Sequence, residues 1–375
     1  MPRIPAVPRR TLLTGTLAVT ASTALPATAL SANEPPAAGA GLPVAAPSIS
    51  GTSDWDARSA DGSIEVLDSK PNKIIVHHTA TANSSDTSQS HAFELARQIQ
   101  DFHMDSNGWS DTGQNFTNTR GGHRLEGRHK SLAALQAGDQ HVVGAHAGEQ
   151  NSVALGIENE GTYTSASVPG ALFEPLTELC AYMVAQYGIE AGEIYGHRDF
   201  MSTDCPGDEL YAKLPELRSA VAARTGRPAV APLVWPLLQP GAAGPRVTAA
   251  QLLLRARGAG DVPVDGVFGA ATQQAAARFL RDRGLTGAAC SGTRVAEHGV
   301  FGGTAWAALA PVLAVDSSGQ AVRAAQVLLT AQGHHTGQET RFGARTRATV
   351  RDVQAAYGLP ADGVLDEATW LRLLQ

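Results

Sequence analysis

The chain has 375 residues, of which 43% are hydrophobic and 17% are charged. This length exceeds what a single hydrophobic core usually supports, and the composition is that of a globular protein rather than a disordered one. The formal net charge is −6 and no long basic run is present, so the sequence lacks the electrostatic pattern of a nucleic-acid-binding protein.

Residues 1–32 have the features of a signal peptide. Arg9 and Arg10 precede a mildly apolar run that continues to about Leu25, and residues 27–29 (Ala-Thr-Ala) supply a small-residue cleavage site. The apolar run is too short to span a bilayer, so we expect no membrane anchor. The paired arginines favour a twin-arginine signal over an ordinary Sec signal, and both predict a secreted, extracellular protein.

The first folded domain is predicted at 54–225, after a linker at 33–53 that is rich in Pro, Ala, Gly and Ser. Short apolar runs alternate there with amphipathic segments of helical period. The predicted strands are 73–79, 114–119, 153–161 and 193–197, and the predicted helices are 89–104 and 174–188. Alternating strands and helices predict an α/β domain, with a mixed central β-sheet flanked by helices.

The C-terminal part is an internal duplication that follows a Pro-rich linker at 226–243. The two copies, 244–310 and 312–375, match at three pairs of positions: Gln251 and Gln326, Phe268 and Phe342, Trp306 and Trp370. The offset falls from 75 to 74 to 64 residues, so the first copy holds about ten extra residues. Each copy predicts a small all-α domain with Asp-Gly or Phe-Gly turns between short helices.

Two histidines on a strand and a distant His–Cys pair suggest a metal site. His77 and His78 are neighbours on an apolar strand, so their side chains point to opposite faces and only one can reach a given metal. Seven residues separate His197 from Cys205, which is long enough for the loop to fold back on itself. Two imidazoles and a thiolate form a zinc ligand set that leaves one coordination position for water. Such a site is typical of zinc hydrolases.

These residues and their surroundings resemble the N-acetylmuramoyl-L-alanine amidase family, which includes the peptidoglycan recognition proteins. The resemblance extends over about 150 residues in family order. The matching motifs are WDAR at 55–58, VHHT at 76–79, GWSD at 108–111, EGR at 126–128, GAH at 144–146, GIE at 156–158, YGHRD at 195–199 and CPG at 205–207.

The resemblance implies a zinc enzyme that cleaves the amide between N-acetylmuramic acid and the L-alanine of the stem peptide. The implied Zn²⁺ ligands are His77, His197 and Cys205. Phage-type relatives carry a tyrosine where this chain has Gln114, which cannot act as a base. We therefore predict Glu158 of the GIE strand as the general base; the alternative is a carboxylate that orients a ligand histidine, a role that Glu160 on the same face of the strand could also fill.

Three further site residues are expected from the same resemblance. Thr203, two residues before the cysteine ligand, is predicted to contact the oxyanion or the substrate. His146 matches a substrate-lining position, with a purely packing role as the alternative. Gln114 is predicted to keep a hydrogen-bonding role in the substrate cleft.

The C-terminal copies resemble the helical peptidoglycan-binding domain of cell-wall hydrolases. The implied partner is peptidoglycan, both its glycan strands and its stem peptides, and the implied location is the cell wall. We expect the repeats to hold the enzyme on the polymer while the linker lets the catalytic domain reach nearby strands. The competing hypotheses are a non-catalytic recognition protein and a zinc peptidase that cuts within the stem; the sequence makes no prediction about oligomeric state.

Overall fold

The computed structural model describes residues 42–285, 299–336 and 340–375, so the predicted signal peptide and Cys290 lie outside the described residues. The strands in these ranges are β1 (Val66–Leu67), β2 (Lys73–His78), β3 (Phe116–Asn118), β4 (Arg124–Glu126), β5 (His141–Val142), β6 (Ala154–Asn159) and β7 (Ile194–Gly196). The α-helices are α1 (Gln89–Asp101), α2 (Ser131–Ala137), α3 (Gly170–Tyr187), α4 (Asp208–Ala212), α5 (Leu214–Thr225), α6 (Pro245–Ala256), α7 (Ala270–Asp282), α8 (Gly303–Leu309), α9 (Gln320–Ala331), α10 (Ala344–Ala356) and α11 (Glu367–Leu373).

The first domain is built on a five-stranded sheet with the order β4-β3-β6-β2-β7. Strands β3, β6, β2 and β7 are parallel, and β4 is antiparallel at the edge. The four predicted strands and two predicted helices are all present, and a mixed sheet flanked by helices is confirmed. The short elements β1, β4, β5 and α2 escaped sequence-based prediction because few residues in each carry a periodic signal.

The two faces of the sheet have different neighbours. On one face, Ile74 and Val76 of β2 belong to a hydrophobic core that also contains the apolar residues of α3 and α5. On the other face, Ile75 packs with Ala147, Phe200 and other residues of two loops. Central parallel strands are buried on both sides, which explains why β2 reads as a continuous apolar run. His77 shares the face of Ile75, the face that is covered by loops.

The two C-terminal repeats share one hydrophobic core instead of forming two separate ones. Helices α6 and α9 occupy equivalent positions in the repeats and pack against each other. A single cluster of buried residues continues from Leu252 in α6 through Trp306 to Leu328 in α9 and Trp370 in α11. The duplication therefore produces one helical body whose halves stabilise each other by burying the apolar faces of their first helices.

Equivalent hydrogen bonds occur in the two repeats. The indole of Trp306 donates to the carbonyl oxygen of Pro236 at 2.7 Å, and the indole of Trp370 donates to that of Pro311 at 2.8 Å. Each proline lies 15 residues before the matched glutamine of its repeat, Gln251 or Gln326. Each tryptophan is fully buried, so the carbonyl satisfies an indole N–H that would otherwise be costly to bury.

The Pro-rich stretch at 226–243 is not the free tether that the sequence suggested. Leu238 exchanges two backbone hydrogen bonds of 2.9 Å with Phe301, and the carbonyl of Pro228 accepts from the N–H of Gly192 at 3.0 Å. Trp235 is buried and its ring is stacked parallel to that of Trp306. Apolar side chains at these positions bind the stretch to both of the domains that it connects. Across the described residues, no helix has the length and apolar character needed to cross a membrane.

Candidate metal centre at the ends of four parallel strands

Four strands place polar side chains in one row across the sheet. Glu158 of β6 is the register partner of His77 in β2 and of Thr117 in β3. Gly196 of β7 pairs with Val76, so His197 follows at the level of His77. The row lies at the carboxyl ends of parallel strands, where α/β sheets commonly bind ligands.

His77, His197 and Cys205 form a compact cluster of buried ligands. Their nitrogen and sulfur atoms all lie within 4.8 Å of one another, and the Sγ of Cys205 lies 3.7 Å from the Nδ1 of His77. Tetrahedral zinc bonded to nitrogen and sulfur at its usual distances separates those atoms by about 3.5 Å. The three residues expected as ligands are thus brought together from sequence positions 128 residues apart.

The alternative histidine, His78, points to the opposite side of β2. Its Nδ1 accepts a hydrogen bond from the backbone N–H of Tyr163 at 3.3 Å. Its own backbone N–H donates to the Sγ of Cys205 at 3.3 Å. Through its main chain, His78 would therefore stabilise the thiolate form of Cys205 that metal ligation requires, since a hydrogen-bond donor stabilises negative charge on sulfur.

A chain of hydrogen bonds fixes which nitrogen of His77 is available to a metal. The Nε2 of His146 lies 3.3 Å from the carbonyl oxygen of Ala154, which can only accept. A neutral His146 that donates there has an unprotonated Nδ1, and this atom lies 3.1 Å from the Nε2 of His77. His77 therefore donates from Nε2 and presents an unprotonated Nδ1 to the cluster, as metal ligation requires.

A glycine makes room for this chain. A Cβ atom at Gly156 would lie 2.5 Å from Cγ of the His146 ring, closer than real contacts allow. The GIE motif therefore needs glycine at its first position because the imidazole of His146 lies directly over the backbone of β6. The motif thus has two roles: its glycine leaves room for His146, and its glutamate, Glu158, lies beside His77.

His197 is oriented by a different neighbour, Met201. Its Nε2 lies 3.0 Å from the Sδ of Met201, while its Nδ1 is buried and has no hydrogen-bond partner among the described residues. A buried imidazole nitrogen without a partner is costly unless a ligand satisfies it. This orphaned atom shows that the cluster suits a metal ion.

Burial keeps these imidazoles neutral. The pKa of His77 is held well below its usual value, mainly by burial and also by the nearby His197 and His146. Burial lowers the pKa of both His197 and His146 to about 3 and that of His78 to about 4. Since neutral imidazole is the ligating form, the site does not need to release protons from its histidines before it binds zinc.

The loop between His197 and Cys205 is held by residues to which the sequence analysis gave no role. The guanidinium of Arg198 donates to the carbonyl of Asp204 and to Oδ1 of Asp208, and it lies over the ring of Tyr211. Asp199 accepts from the N–H of Gly196 at 2.9 Å and from the hydroxyl of Tyr211 at 2.6 Å. The HRD motif contained both residues, but only their tertiary partners show that they fix the ligand loop.

Thr203 and Met201 complete this loop. The Oγ1 of Thr203 accepts from the backbone N–H of Cys205 at 3.1 Å and so holds the ligand turn. Its expected contact with an oxyanion stays a prediction. Met201 was missed, because an unbranched apolar side chain in a polar loop gives no sequence signal for a role next to a ligand.

Glu158 and Glu160 have different surroundings. Glu158 is fully buried within the row, beside His77. Glu160 lies beyond the end of β6, and its carboxylate contacts the Nε2 of His91 at 2.8 Å and the N–H of Arg120 at 2.8 Å. Glu160 thus joins α1 to the turn after β3 and is not the residue that orients a ligand histidine.

The predicted substrate contacts of His146 and Gln114 are not supported. His146 is 2% exposed, and both of its ring nitrogens are engaged by His77 and Ala154. Gln114 is 1% exposed, and its Nε2 donates to the Oγ1 of Thr117 at 3.0 Å. His146 instead orients His77.

The fold and site thus define an α/β domain with a buried cluster of two histidines and a cysteine that could hold a metal ion. Residues 67–208 match the family described as N-acetylmuramoyl-L-alanine amidase, and residues 318–373 match a peptidoglycan binding domain. The peptidoglycan-recognition protein SC2 of Drosophila melanogaster is 34% identical over 163 residues, which are 43% of this chain and 82% of that protein. The chain belongs to this family of peptidoglycan-recognition proteins and amidases.

Two further relatives indicate the range of the family. An N-acetylmuramoyl-L-alanine amidase of Sus scrofa is 29% identical over 186 residues, covering 48% of this chain and 29% of that protein. The solved structure of Drosophila PGRP-LB is 28% identical, covers 44% of this chain and 92% of that structure, and has a TM-score of 0.39. Enzymes and recognition proteins both occur among the similar sequences.

Proposed function

We propose that this protein is a secreted, zinc-dependent N-acetylmuramoyl-L-alanine amidase that hydrolyses the bond between N-acetylmuramic acid and L-alanine in peptidoglycan. The observation that carries the proposal is the cluster of His77, His197 and Cys205, in which the Nδ1 of His197 has no hydrogen-bond partner within the described part of the chain. Three protein ligands leave a fourth position for water, which is the arrangement of a catalytic rather than a structural zinc site.

The three ligands would hold zinc through His77 Nδ1, His197 Nδ1 and Cys205 Sγ. Bound there, zinc would polarise the scissile carbonyl and lower the pKa of water to about 7. In the proposed reaction, the carboxylate of Glu158 takes the proton from the attacking water and later delivers it to the departing amine of L-alanine. His146 keeps His77 in the ligating tautomer, and the N–H of His78 stabilises the thiolate.

The recognition-protein hypothesis remains the second candidate because several similar proteins carry that name. A recognition protein needs no open metal site, whereas this chain keeps all three ligands in contact distance. The zinc peptidase differs from the amidase only in the bond cut. The ligand set supports a hydrolase, and the family supports the amide next to the sugar.

The test is digestion of purified peptidoglycan by the full-length protein with its zinc content measured in parallel. We expect one zinc per chain, new L-alanine amino termini, and product masses that correspond to sugar-free stem peptides. Loss of activity with a chelator and its return with zinc would complete the result. Zinc without new termini would favour a recognition protein, and cleavage within the stem would favour the peptidase.

We also propose that both C-terminal repeats bind the wall and that residues 1–32 direct export. The second repeat carries the match to a peptidoglycan binding domain, and the equivalent hydrogen bonds of Trp306 and Trp370 extend the same architecture to the first. Sedimentation of a 226–375 fragment with walls would test the first point. N-terminal sequencing of protein from the culture medium would test the second, with cleavage after residue 29 or 32 expected.

A further inference from the structure

The two repeats differ at one turn where their sequences should be alike. In the second repeat, Asp366 precedes α11, and its carboxylate accepts from the N–H of Thr369 at 2.9 Å as a helix cap. The equivalent position before α8 is Gly302, which has no side chain to cap the helix. A helix that starts with glycine in place of a capping aspartate is slightly less stable. The first repeat gives up this cap where it contacts the catalytic domain.

Gly302 and Gly303 pack directly against the ligand loop. A Cβ atom on Gly302 would lie 2.6 Å from the carbonyl oxygen of Met201, and one on Gly303 would lie 2.6 Å from that of Asp199. The obstructing atoms belong to the backbone, so no side-chain rotation could relieve the contact. Gly302 has an extended backbone with φ −119°. Glycine is therefore required for close approach and not for an unusual conformation.

Hydrogen bonds fix the same contact. The N–H of Gly302 donates to the Oγ of Ser202 at 3.2 Å, and the hydroxyl of Thr304 donates to the carbonyl of Phe200 at 3.2 Å. From the connecting stretch, the side-chain amide of Gln239 donates to Oδ1 of Asp204 at 3.1 Å. The first repeat and the stretch before it thus contact the loop at several points between its two metal ligands.

The contact continues to the ligand itself through Met201. The carbonyl oxygen of Met201 is the first atom that a Cβ added at Gly302 would meet, and the Sδ of Met201 lies 3.0 Å from the Nε2 of His197. We propose that the first C-terminal repeat is a structural part of the metal centre, and that Gly302 is a positioning residue that keeps Met201 against His197. The first repeat therefore acts on the reaction, in addition to any binding of the wall.

This inference rests on the metal site of the proposed function. The two repeats then have different roles. The first repeat supports the loop between His197 and Cys205, whereas the second repeat carries the capped version of the same helix. Catalysis on small soluble substrates, which cannot engage a distant wall-binding surface, should then depend on the first repeat.

The test compares Gly302→Ala with Gly269→Ala in the full-length protein. Gly269 precedes α7 in the same repeat, follows a phenylalanine as Gly302 does, and has an extended backbone with φ −90°. An added Cβ there meets nothing within 4 Å. The pair separates contact with the ligand loop from any general effect of replacing a glycine at the start of a helix.

Zinc affinity is measured by competition with a chelating dye, and kcat and KM are measured on a soluble muropeptide. We expect Gly302→Ala to lose about tenfold in zinc affinity and in kcat, because support around metal ligands typically contributes this much. KM and sedimentation with walls should change little, and Gly269→Ala should match the wild type in all four readouts. Equal zinc affinity in Gly302→Ala and wild type, or an equal loss in Gly269→Ala, would overturn the inference.

A second variant covers the case in which Gly302→Ala does not fold. Gln239→Ala adds no atoms and removes the hydrogen bonds to Asp204 and to Asp208, so a smaller loss of zinc affinity is expected. Unchanged zinc affinity in soluble Gln239→Ala would count against the inference. A wild-type protein that binds no zinc would instead refute the proposed function, so the two failures are distinguishable.

Discussion

The C-terminal repeats and the metal centre both bury polar side chains, but they satisfy them differently. In the second repeat, the buried amide of Gln354 donates to the carbonyl of Val364 at 2.8 Å, and its oxygen accepts from the N–H of Gly363 at 2.9 Å. In the metal centre, the Nδ1 of His197 is buried and has no hydrogen-bond partner among the described residues. For these two residues, the complete set of partners accompanies a structural role, and the nitrogen without a partner lies where a metal ion could bind.

The amide of Gln354 also explains the Asp-Gly turn of the repeat. Its Nε2 lies 3.1 Å from Oδ1 of Asp362, and this carboxylate accepts from the N–H of Val364 at 2.8 Å. Gln251 makes a similar arrangement with Asp265 and Gly266 in the first copy, although the residue that matches it in the second copy is Gln326. One buried glutamine therefore fixes a turn that few apolar residues hold in place. The cost of an unpaired buried group, about 1–3 kcal/mol, makes such a network specific.

Replacing Cys205 by alanine should have the largest effect on zinc binding and turnover. Without the thiolate, we expect loss of zinc and a fall in turnover of about a thousandfold or more, because several kcal/mol of transition-state stabilisation disappear and each 1.36 kcal/mol is tenfold. Zinc analysis and L-alanine release measure both effects. Cys180→Ala is the control, since Cys180 is buried in the core beside α5 and away from the cluster. Hydrolysis that survives in Cys205→Ala would reject the metal centre.

Glu158→Gln tests the one carboxylate in the row of polar side chains at the ends of the parallel strands. The amide keeps the shape but cannot accept a proton, so turnover should fall by about a hundred- to ten-thousandfold, the usual contribution of a general base. Zinc content should stay at the wild-type level, since Glu158 is not one of the three clustered ligands. Glu160→Gln serves as the matched comparison, and its effect should fall on stability through the contact with His91. Equal activity of Glu158→Gln and wild type would exclude Glu158 as the base.

His146→Leu removes the acceptor for His77. The N–H at Nε2 of His77 would then be buried without a partner, and zinc affinity should fall by about ten- to a hundredfold. His146→Gln offers a carbonyl oxygen as a substitute acceptor and should recover part of the loss. A merely packing role for His146 predicts equal zinc affinity in the two variants, so dye competition separates the alternatives.

Gln354→Leu should have the smallest effect on the reaction. The free energy of unfolding should fall by about 1–3 kcal/mol, because the turn around Gly363 loses its buried partners. Turnover of a soluble muropeptide should be unchanged, since the metal centre is not touched. Arg345→Gln, an exposed change on the same helix, should leave the unfolding curve as it is. A drop in soluble turnover for Gln354→Leu would show that the second repeat also supports catalysis.

The sequence by itself determined four of the five strands of the main sheet, the candidate ligands and the internal repeat. Strand β2 was readable because parallel central strands need an unbroken apolar run. His197, Cys205 and the His77–His78 pair were readable because few residue types bind zinc, and the resemblance to the amidase family singled out His77. The matches of Trp306 with Trp370 and of Gln251 with Gln326 were readable because both copies repeat the same spacing.

Only the tertiary structure decided how these parts are held. His146 was expected to line the substrate cleft, and the fold places it under His77 as an acceptor. Met201 and Gly302 gave no signal, because methionine and glycine act here through proximity and not through their own chemistry. The physical reason is general: periodicity and ligand chemistry are local properties of a sequence, whereas close approach and hydrogen-bond satisfaction exist only between segments that folding brings together.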